Sequence, residues 1–323
     1  MRKHYVVTGG AGFIGSHVCD ALLALGHAVT AVDSLITGRT QNLKSAKQLG
    51  GDARFQFLEW DVCQAIPEGK LEFLPAHGLA GVFHLACPAS PIDFGRIPFE
   101  ILAVDSEGTK HTVNLALKHG AKYLLASTSE VYGDPLVHPQ SEEYWGNVNP
   151  VGFRACYDEA KRFAEAYVST AIRYSKLDGR IIRIFNTYGP RMRPDDGRIV
   201  PELCTRAIAG KPLTIHGDGK QTRSFCFVDD LVDGMLRLFK SDYRSPMNIG
   251  NPKEYTVLEF VDSLQRILGR ERVPLVFEPG RPDDPRRRCP DVRKARELLG
   301  WEAKTDLDSG LRACVRYFES EAD

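Results

Sequence analysis

Residues 4–15 read HYVVTGGAGFIG, a short apolar strand pattern that runs directly into glycines at 9, 12 and 15 and then into a helical pattern. Each glycine has a steric reason. Gly9 permits a tight turn, Gly12 lets a pyrophosphate approach the backbone, and Gly15 allows the following helix to pack closely on the strand. The free amides and positive dipole end of that helix favour an anion. Strand, turn and helix in this order predict a dinucleotide site, with Phe13 and Ile14 in its wall. Asp33 stands 18 residues beyond Gly15, at the end of the next strand pattern, where a carboxylate accepts hydrogen bonds from ribose hydroxyls. It would repel a 2′-phosphate, so NAD is expected over NADP, with Arg39 near enough to leave NADP open. Asp61, followed by Val62 after the third strand, reads as an adenine neighbour or as a helix cap. Leu85, at the end of the fourth strand, completes the expected cofactor set.

Outward from this motif, apolar runs at Tyr5–Thr8, Val29–Val32, Phe55–Leu58, Val82–Leu85 and Tyr123–Ala126 alternate with helical stretches. That rhythm predicts an α/β fold, a doubly wound parallel Rossmann sheet. A long helix is expected over Phe153–Tyr174 and a strand over Arg180–Phe185. Prolines 190, 194, 201 and 212 then break the rhythm, predicting a smaller, irregular α/β substrate-binding lobe. The expected division is 1–181 for the cofactor domain and 182–323 for the lobe, with a soft boundary and interleaved segments.

The chain has 323 residues, 43% of them hydrophobic, enough to bury a large core. Lys plus Arg and Asp plus Glu both number 42, so no net field recruits nucleic acid or an anionic membrane. The eight cysteines are scattered without CxxC or Cys/His ligand spacing, which argues against a zinc site and a disulfide framework. No metal is expected. With no apolar run of about 18 residues and no signal-peptide pattern, a soluble cytoplasmic protein is expected. The dense charge run RPDDPRRR at 281–288 reads by itself as a solvated loop.

Tyr157 and Lys161 are four residues apart on the predicted long helix and so share a face. An ammonium beside a phenol favours the phenolate, which can then take a proton from a sugar alcohol. The spacing alone is common. Here it follows a full dinucleotide motif and the hydroxyl cluster Ser127, Thr128 and Ser129 at a strand end, where open α/β sheets place their chemistry.

Six stretches carry a resemblance: HLACPASP (84–91), LLASTSEVYGDP (124–135), HPQSEEYWGNVNP (138–150), RACYDEAKR (154–162), RIFNTYGPRM (183–192) and LTIHGDGKQTRSFCFVDDLVDG (213–234). The chain resembles the extended short-chain dehydrogenase/reductases that modify nucleotide sugars, and within them the UDP-glucuronate decarboxylases. The resemblance implies NAD-dependent decarboxylation of UDP-glucuronate through a C4 ketone to UDP-xylose, with some UDP-4-keto-pentose released. It assigns Thr128 to the C4 oxygen, Tyr157 as base, and Lys161 to Tyr157 and the nicotinamide ribose. Glu130 and Arg288 would serve decarboxylation and reprotonation at C5, Arg288 gripping the sugar carboxylate while Arg286 and Arg287 stay structural or exposed. Asn186, Arg191 and Arg223 would hold the uridine diphosphate, with His216 beside uracil.

Ser129 separates the neighbouring activities. Sugar 4,6-dehydratases usually have an acid between the threonine and the glutamate, and serine is a poor proton donor at neutral pH. A 4-epimerase, a 4,6-dehydratase and a catalytically idle sugar-nucleotide-binding protein remain as alternatives. The chain departs from the decarboxylase pattern at Cys87, Phe94, Ala103, Asp105, Phe153, His216 and Cys289. The family also implies a homodimer, its helices around Phe99–His119 and Phe153–Tyr174 forming a four-helix bundle. Phe163, Ala164, Ala166, Tyr167 and Ala171 fit one broad apolar face for it.

Overall fold

The computed structural model describes residues 2–279 and 288–322. Arg286 and Arg287 lie outside the described residues. Strands β1 (His4–Thr8), β2 (Ala28–Asp33), β3 (Phe55–Glu59), β4 (Leu79–His84), β5 (Lys122–Thr128) and β6 (Gly179–Ile184) join the strand Pro246–Ile249 in one parallel sheet. Its order is Pro246–Ile249, β6, β5, β4, β1, β2, β3. The chain winds outward in opposite directions from β1 and β4. Their carboxyl ends therefore flank a crevice that no crossover covers, the place where open α/β sheets bind ligands.

Every residue of β1 and β2 is buried, as expected of parallel strands covered on both faces. Successive side chains alternate between two cores. Val7, Leu124 and Ile182 enter one, while Val6, Tyr123, Leu125 and Ile181 enter the other. The first core continues into the second half of the chain through Phe225, Leu231, Met235, Phe260, Trp301, Leu311 and Phe318. The expected division after residue 181 falls inside β6, and the outermost strand comes from residues 246–249.

The irregular lobe is built from two-stranded pieces. Thr222–Ser224 pairs antiparallel with Glu254–Thr256, and Leu213–His216 pairs parallel with Leu275–Glu278. The long helix spans Ala155–Tyr174, starting two residues later than its periodicity suggested. The region 98–119 is less regular than one helix: Pro98–Ala103, a π-helical turn Val104–Gly108, and Thr109–His119. Such turns widen a helix locally and recur at functional sites. The apolar face expected on the long helix divides. Ala164 and Ala171 pack against the sheet of their own subunit, while Phe163 and Ala166 face outward and Tyr167 is half-buried.

Candidate active site

The glycine turn is built as its sequence requires. Gly9 has φ +67°, and a Cβ there would stand 2.8 Å from the backbone of Leu85 and Ala86. A Cβ on Gly15 would lie 2.0 Å from the Gly9 carbonyl oxygen. Side chains at either position would close the cradle. Asp33, at the end of β2, is fixed by two backbone donors: Ala11 N–H to Oδ2 at 3.0 Å and Leu35 N–H to Oδ1 at 2.8 Å. Burial pushes its carboxyl up, and these bonds oppose that rise.

Arg39 is committed elsewhere. Its guanidinium pairs with Glu321 on the helix Leu307–Ala322, which also accepts from Gln41 Nε2 at 2.6 Å. The guanidinium that kept NADP open thus has a carboxylate partner of its own. Asp61 is exposed at the rim, where its Oδ1 accepts from Cys63 N–H at 2.9 Å, capping a turn rather than a helix. Phe13, Ile14, Val62 and Leu85 line the same cavity.

That cavity, of about 1370 Å³, runs from the glycine turn to the second lobe and contains Thr128, Ser129, Glu130, Tyr157, Lys161 and Arg288. β5 delivers the hydroxyl cluster. Thr128 ends the strand and its Oγ1 accepts from Glu130 N–H at 3.2 Å, starting a short 3₁₀ turn. Ser127 lines the cavity too, but its hydroxyl is spent in donating to Glu165 Oε1 at 2.6 Å.

Tyr157 is 6% exposed, its ring stacked on Phe94 with centroids 5.1 Å apart. Burial pushes the phenol well up; the charge of Lys161 and a hydrogen bond with Thr128 pull it down. Lys161 Nζ lies 5.9 Å from the Tyr157 ring centroid and donates to Asp105 Oδ1 at 2.9 Å and Ala126 O at 3.1 Å. Burial alone would lower the ammonium, but Asp105 outweighs it and holds Lys161 firmly protonated. The other oxygen of Asp105 accepts from the Cys87 thiol at 3.0 Å.

Glu130 is held between two arginines. Arg288 Nη1 is 2.6 Å from Oε1 and Nη2 is 2.9 Å from Oε2, a two-pronged pair, and Arg154 Nη2 also reaches Oε2. Arg154 sits 3.6 Å from Asp158 as well. Two guanidiniums thus converge on the end of the cavity that holds Tyr157.

Asn186, His216 and Arg223 line the second-lobe side. Arg223 Nη1 donates to Thr222 O at 2.8 Å. Arg191 also lines the cavity, but its backbone is left-handed (φ +72°) and its guanidinium pairs with Asp20 of the first helix at 2.6 Å. In this arrangement its guanidinium is held on the glycine-turn side of the cavity. Arg154 was missed from sequence, although it lies three residues before Tyr157 and helical spacing puts the two on one face. Arg193 and Arg198, paired with Asp93 at 3.0 Å and with Asp196, add cations to the same walls and had no local signal.

With this geometry in place, comparison with known proteins is decisive. Residues 6–314 match the family described as GDP-mannose 4,6 dehydratase. UDP-glucuronic acid decarboxylase 2 of Arabidopsis thaliana is 47% identical over 313 residues, covering 97% of this chain and 67% of the relative. The chain belongs to the extended short-chain dehydrogenase/reductases. This reductase-family chain is also 44% identical over 322 residues to UDP-glucuronic acid decarboxylase 1 of Danio rerio, covering 100% of itself and 74% of that relative. Among solved structures it is similar to the UDP-glucuronic acid 4-epimerase of Bacillus cereus, crystallised with UDP-glucuronic acid and NAD: TM-score 0.86, 28% identity, 98% of this chain and 99% of the other.

Proposed function

We propose that the chain decarboxylates UDP-glucuronate with NAD⁺, forming UDP-xylose through a C4 ketone. The observation that carries this reading is the placement of Arg288 in one cavity with Thr128, Tyr157 and Lys161, so that a group suited to a sugar carboxylate stands beside a group suited to a C4 hydroxyl. The glycine cradle and Asp33 fit NAD: the turn leaves room for a pyrophosphate, and the carboxylate suits ribose hydroxyls. When bound, NAD⁺ supplies hydride acceptance at C4 and hydride return to the decarboxylated sugar.

Tyr157 takes the C4 hydroxyl proton, assisted by the Lys161 charge, while Thr128 holds the C4 oxygen. With C4 a ketone, the C6 carboxylate is that of a β-keto acid and leaves as carbon dioxide, its electron pair passing into an enolate whose oxygen lies at Thr128 and Tyr157. A water ordered by Glu130 gives C5 its proton and regains one from solvent, the single proton that decarboxylation consumes overall. Tyr157 then gives its proton back to the C4 oxygen, and the enzyme ends the turnover redox-neutral. The sugar carboxylate competes with Glu130 for Arg288 and Arg154, which releases Glu130 for its proton-transfer role.

Incubation with UDP-glucuronate tests this directly: carbon dioxide and UDP-xylose are expected, whereas UDP-galacturonate without carbon dioxide would make the chain a 4-epimerase, the activity named for the Bacillus cereus neighbour. Loss of water from a UDP-hexose would make it a dehydratase, a role that Ser129 disfavours.

The working unit is a homodimer. Phe99, Leu102 and Phe163 are 79%, 40% and 43% exposed on the adjoining helices Pro98–Ala103 and Ala155–Tyr174, and pairing with a second copy buries them in a four-helix bundle. Sedimentation as a monomer at micromolar concentration would refute it. A reducing cytoplasm suits the eight free thiols, and among the described residues no helix is long and apolar enough to cross a membrane.

A further inference from the structure

His138, Glu254 and Cys289 come from three distant parts of the chain, and one donor atom from each falls within a group whose members lie no more than 4.8 Å apart. His138 Nε2 is 3.1 Å from Glu254 Oε2, and Cys289 Sγ stands 3.3 Å from Pro252 O beside them. None of the three lines the catalytic cavity.

Hydrogen bonds to Gln140 hold two of the three segments together before any ligand arrives. Cys289 N–H donates to Gln140 Oε1 and Gln140 N–H to Cys289 O, each at 2.9 Å, and Asp291 N–H donates to Gln140 O at 2.9 Å. Gln140 is 1% exposed and sits two residues from His138, so the Cys289 and His138 segments are laced to each other. Glu254 is fixed in the strand pair with Thr222–Ser224, and its Oε1 accepts from the Thr222 hydroxyl at 2.5 Å. Its Oε2 faces the imidazole.

Imidazole, carboxylate and thiolate together form a borderline-soft donor set, which favours zinc over the hard cations calcium and magnesium. Access is graded in the way such a site needs. The cysteine is 5% exposed, while the side chains of His138 and Glu254 are 32% and 27% exposed, so a cation enters from solvent and settles onto the sulfur. We propose that His138, Glu254 and Cys289 bind one zinc-class divalent cation, with water as fourth ligand. Cys289 releases its proton to solvent on ligation, and the His138–Glu254 hydrogen bond gives way to two metal bonds. Lying outside the cavity, the cation takes no part in bond making. It anchors the main chain at Cys289, next to Arg288, whose carbonyl accepts from Ser224 Oγ at 3.2 Å and whose guanidinium grips Glu130.

The test uses the full chain, freed of any affinity tag and titrated with Co²⁺ and then Zn²⁺. One equivalent of Co²⁺ should produce a thiolate-to-cobalt charge-transfer band in the near ultraviolet, bleached by one equivalent of Zn²⁺. Cys289→Ser should abolish the band, and His138→Ala should weaken Co²⁺ binding about tenfold or more. Cys63→Ser, which alters a half-exposed thiol elsewhere, should change nothing. His138 is exposed, so its variant remains informative even if the cysteine variant folds poorly. No band in the folded wild-type chain, an undiminished band in Cys289→Ser, or unchanged affinity in His138→Ala would each overturn the assignment.

Discussion

Asp105 Oδ1 lies 2.9 Å from Lys161 Nζ with both side chains shut off from solvent, so the ammonium that should act on Tyr157 already shares its charge with a carboxylate. A π-helical turn brings Asp105 there. The carboxylate of Asp105 therefore bears on the proton chemistry of Tyr157. Replacing Asp105 by Asn keeps an acceptor for Nζ but removes the opposing charge. The acid limb of kcat/KM, which reports formation of the phenolate, should then move down by about one pH unit. An acid limb that stays put in a folded Asp105→Asn enzyme would show that Lys161 acts at full strength despite its partner.

Tyr157→Phe removes only the ionisable oxygen and keeps the ring stacked on Phe94. Turnover should fall by roughly 10²–10⁴-fold, while UDP-glucuronate binding measured by calorimetry stays within about threefold. Near-normal turnover would exclude Tyr157 as the base.

Arg288→Ala leaves Glu130 with Arg154 as its remaining guanidinium partner among those described. Affinity for UDP-glucuronate should drop by about ten- to a hundredfold, with a much smaller change for UDP, because the lost bonds are charge-assisted bonds to the sugar carboxylate. Equal losses for the two ligands would move Arg288 to a structural role.

Asp158 is buried, with Oδ1 lacking a hydrogen-bond partner. Burial, and then the neighbouring Glu130, push its carboxyl up to about 7 from an ordinary 3.8. The folded state therefore holds this proton more tightly than the unfolded chain, and the stability linked to it declines as pH rises from about 4 to about 7. Asp158→Asn should raise the unfolding free energy read from denaturant melts at pH 8 by roughly 1–3 kcal/mol and leave it nearly unchanged at pH 4. A gain of equal size at both values would rule out the ionisation as the cause.

Once carbon dioxide has left, the sugar has no carboxylate for Arg288 to hold, and the 4-keto pentose depends on the remaining walls. Phe94 and Ala103 both line the cavity and offer the sugar no hydrogen bond. Each missing bond is worth about 0.5–1.5 kcal/mol, enough to speed escape several-fold. UDP-4-keto-pentose should accumulate beside UDP-xylose, and Phe94→Tyr should shift the ratio toward UDP-xylose. Product chromatography with carbonyl trapping reads both, and UDP-xylose alone from the unaltered chain would remove any role for these positions.

The sheet was legible because its signals are local. Glycine spacing, the alternation of apolar runs and the four-residue step from Tyr157 to Lys161 all operate within a few turns of chain. What stayed hidden was long-range. Asp105 meets Lys161 across 56 positions, and Glu130 meets Arg288 across 158. The turn of Arg191 toward Asp20 depends on a left-handed backbone at a non-glycine residue, which no propensity foretells. The long-helix face was misread because one apolar stripe serves two surfaces: Ala164 and Ala171 face the sheet, whereas Phe163 and Ala166 face out.

The sheet's outermost strand, Pro246–Ile249, and the helix Val228–Lys240 that packs against β6 both come from the half of the chain that also carries Arg223 and His216. Sugar preference and cofactor scaffold are therefore not exchangeable cassettes. A chimera joined after β6 would take its neighbour's outer strand along with its neighbour's specificity, and mismatched Met247 or Ile249 would spoil the β-core of the recipient. Grafts that respect the fold must keep residues 228–249 with the amino-terminal half and replace only the segments on either side, so altering substrate choice by recombination would require at least three crossovers instead of one.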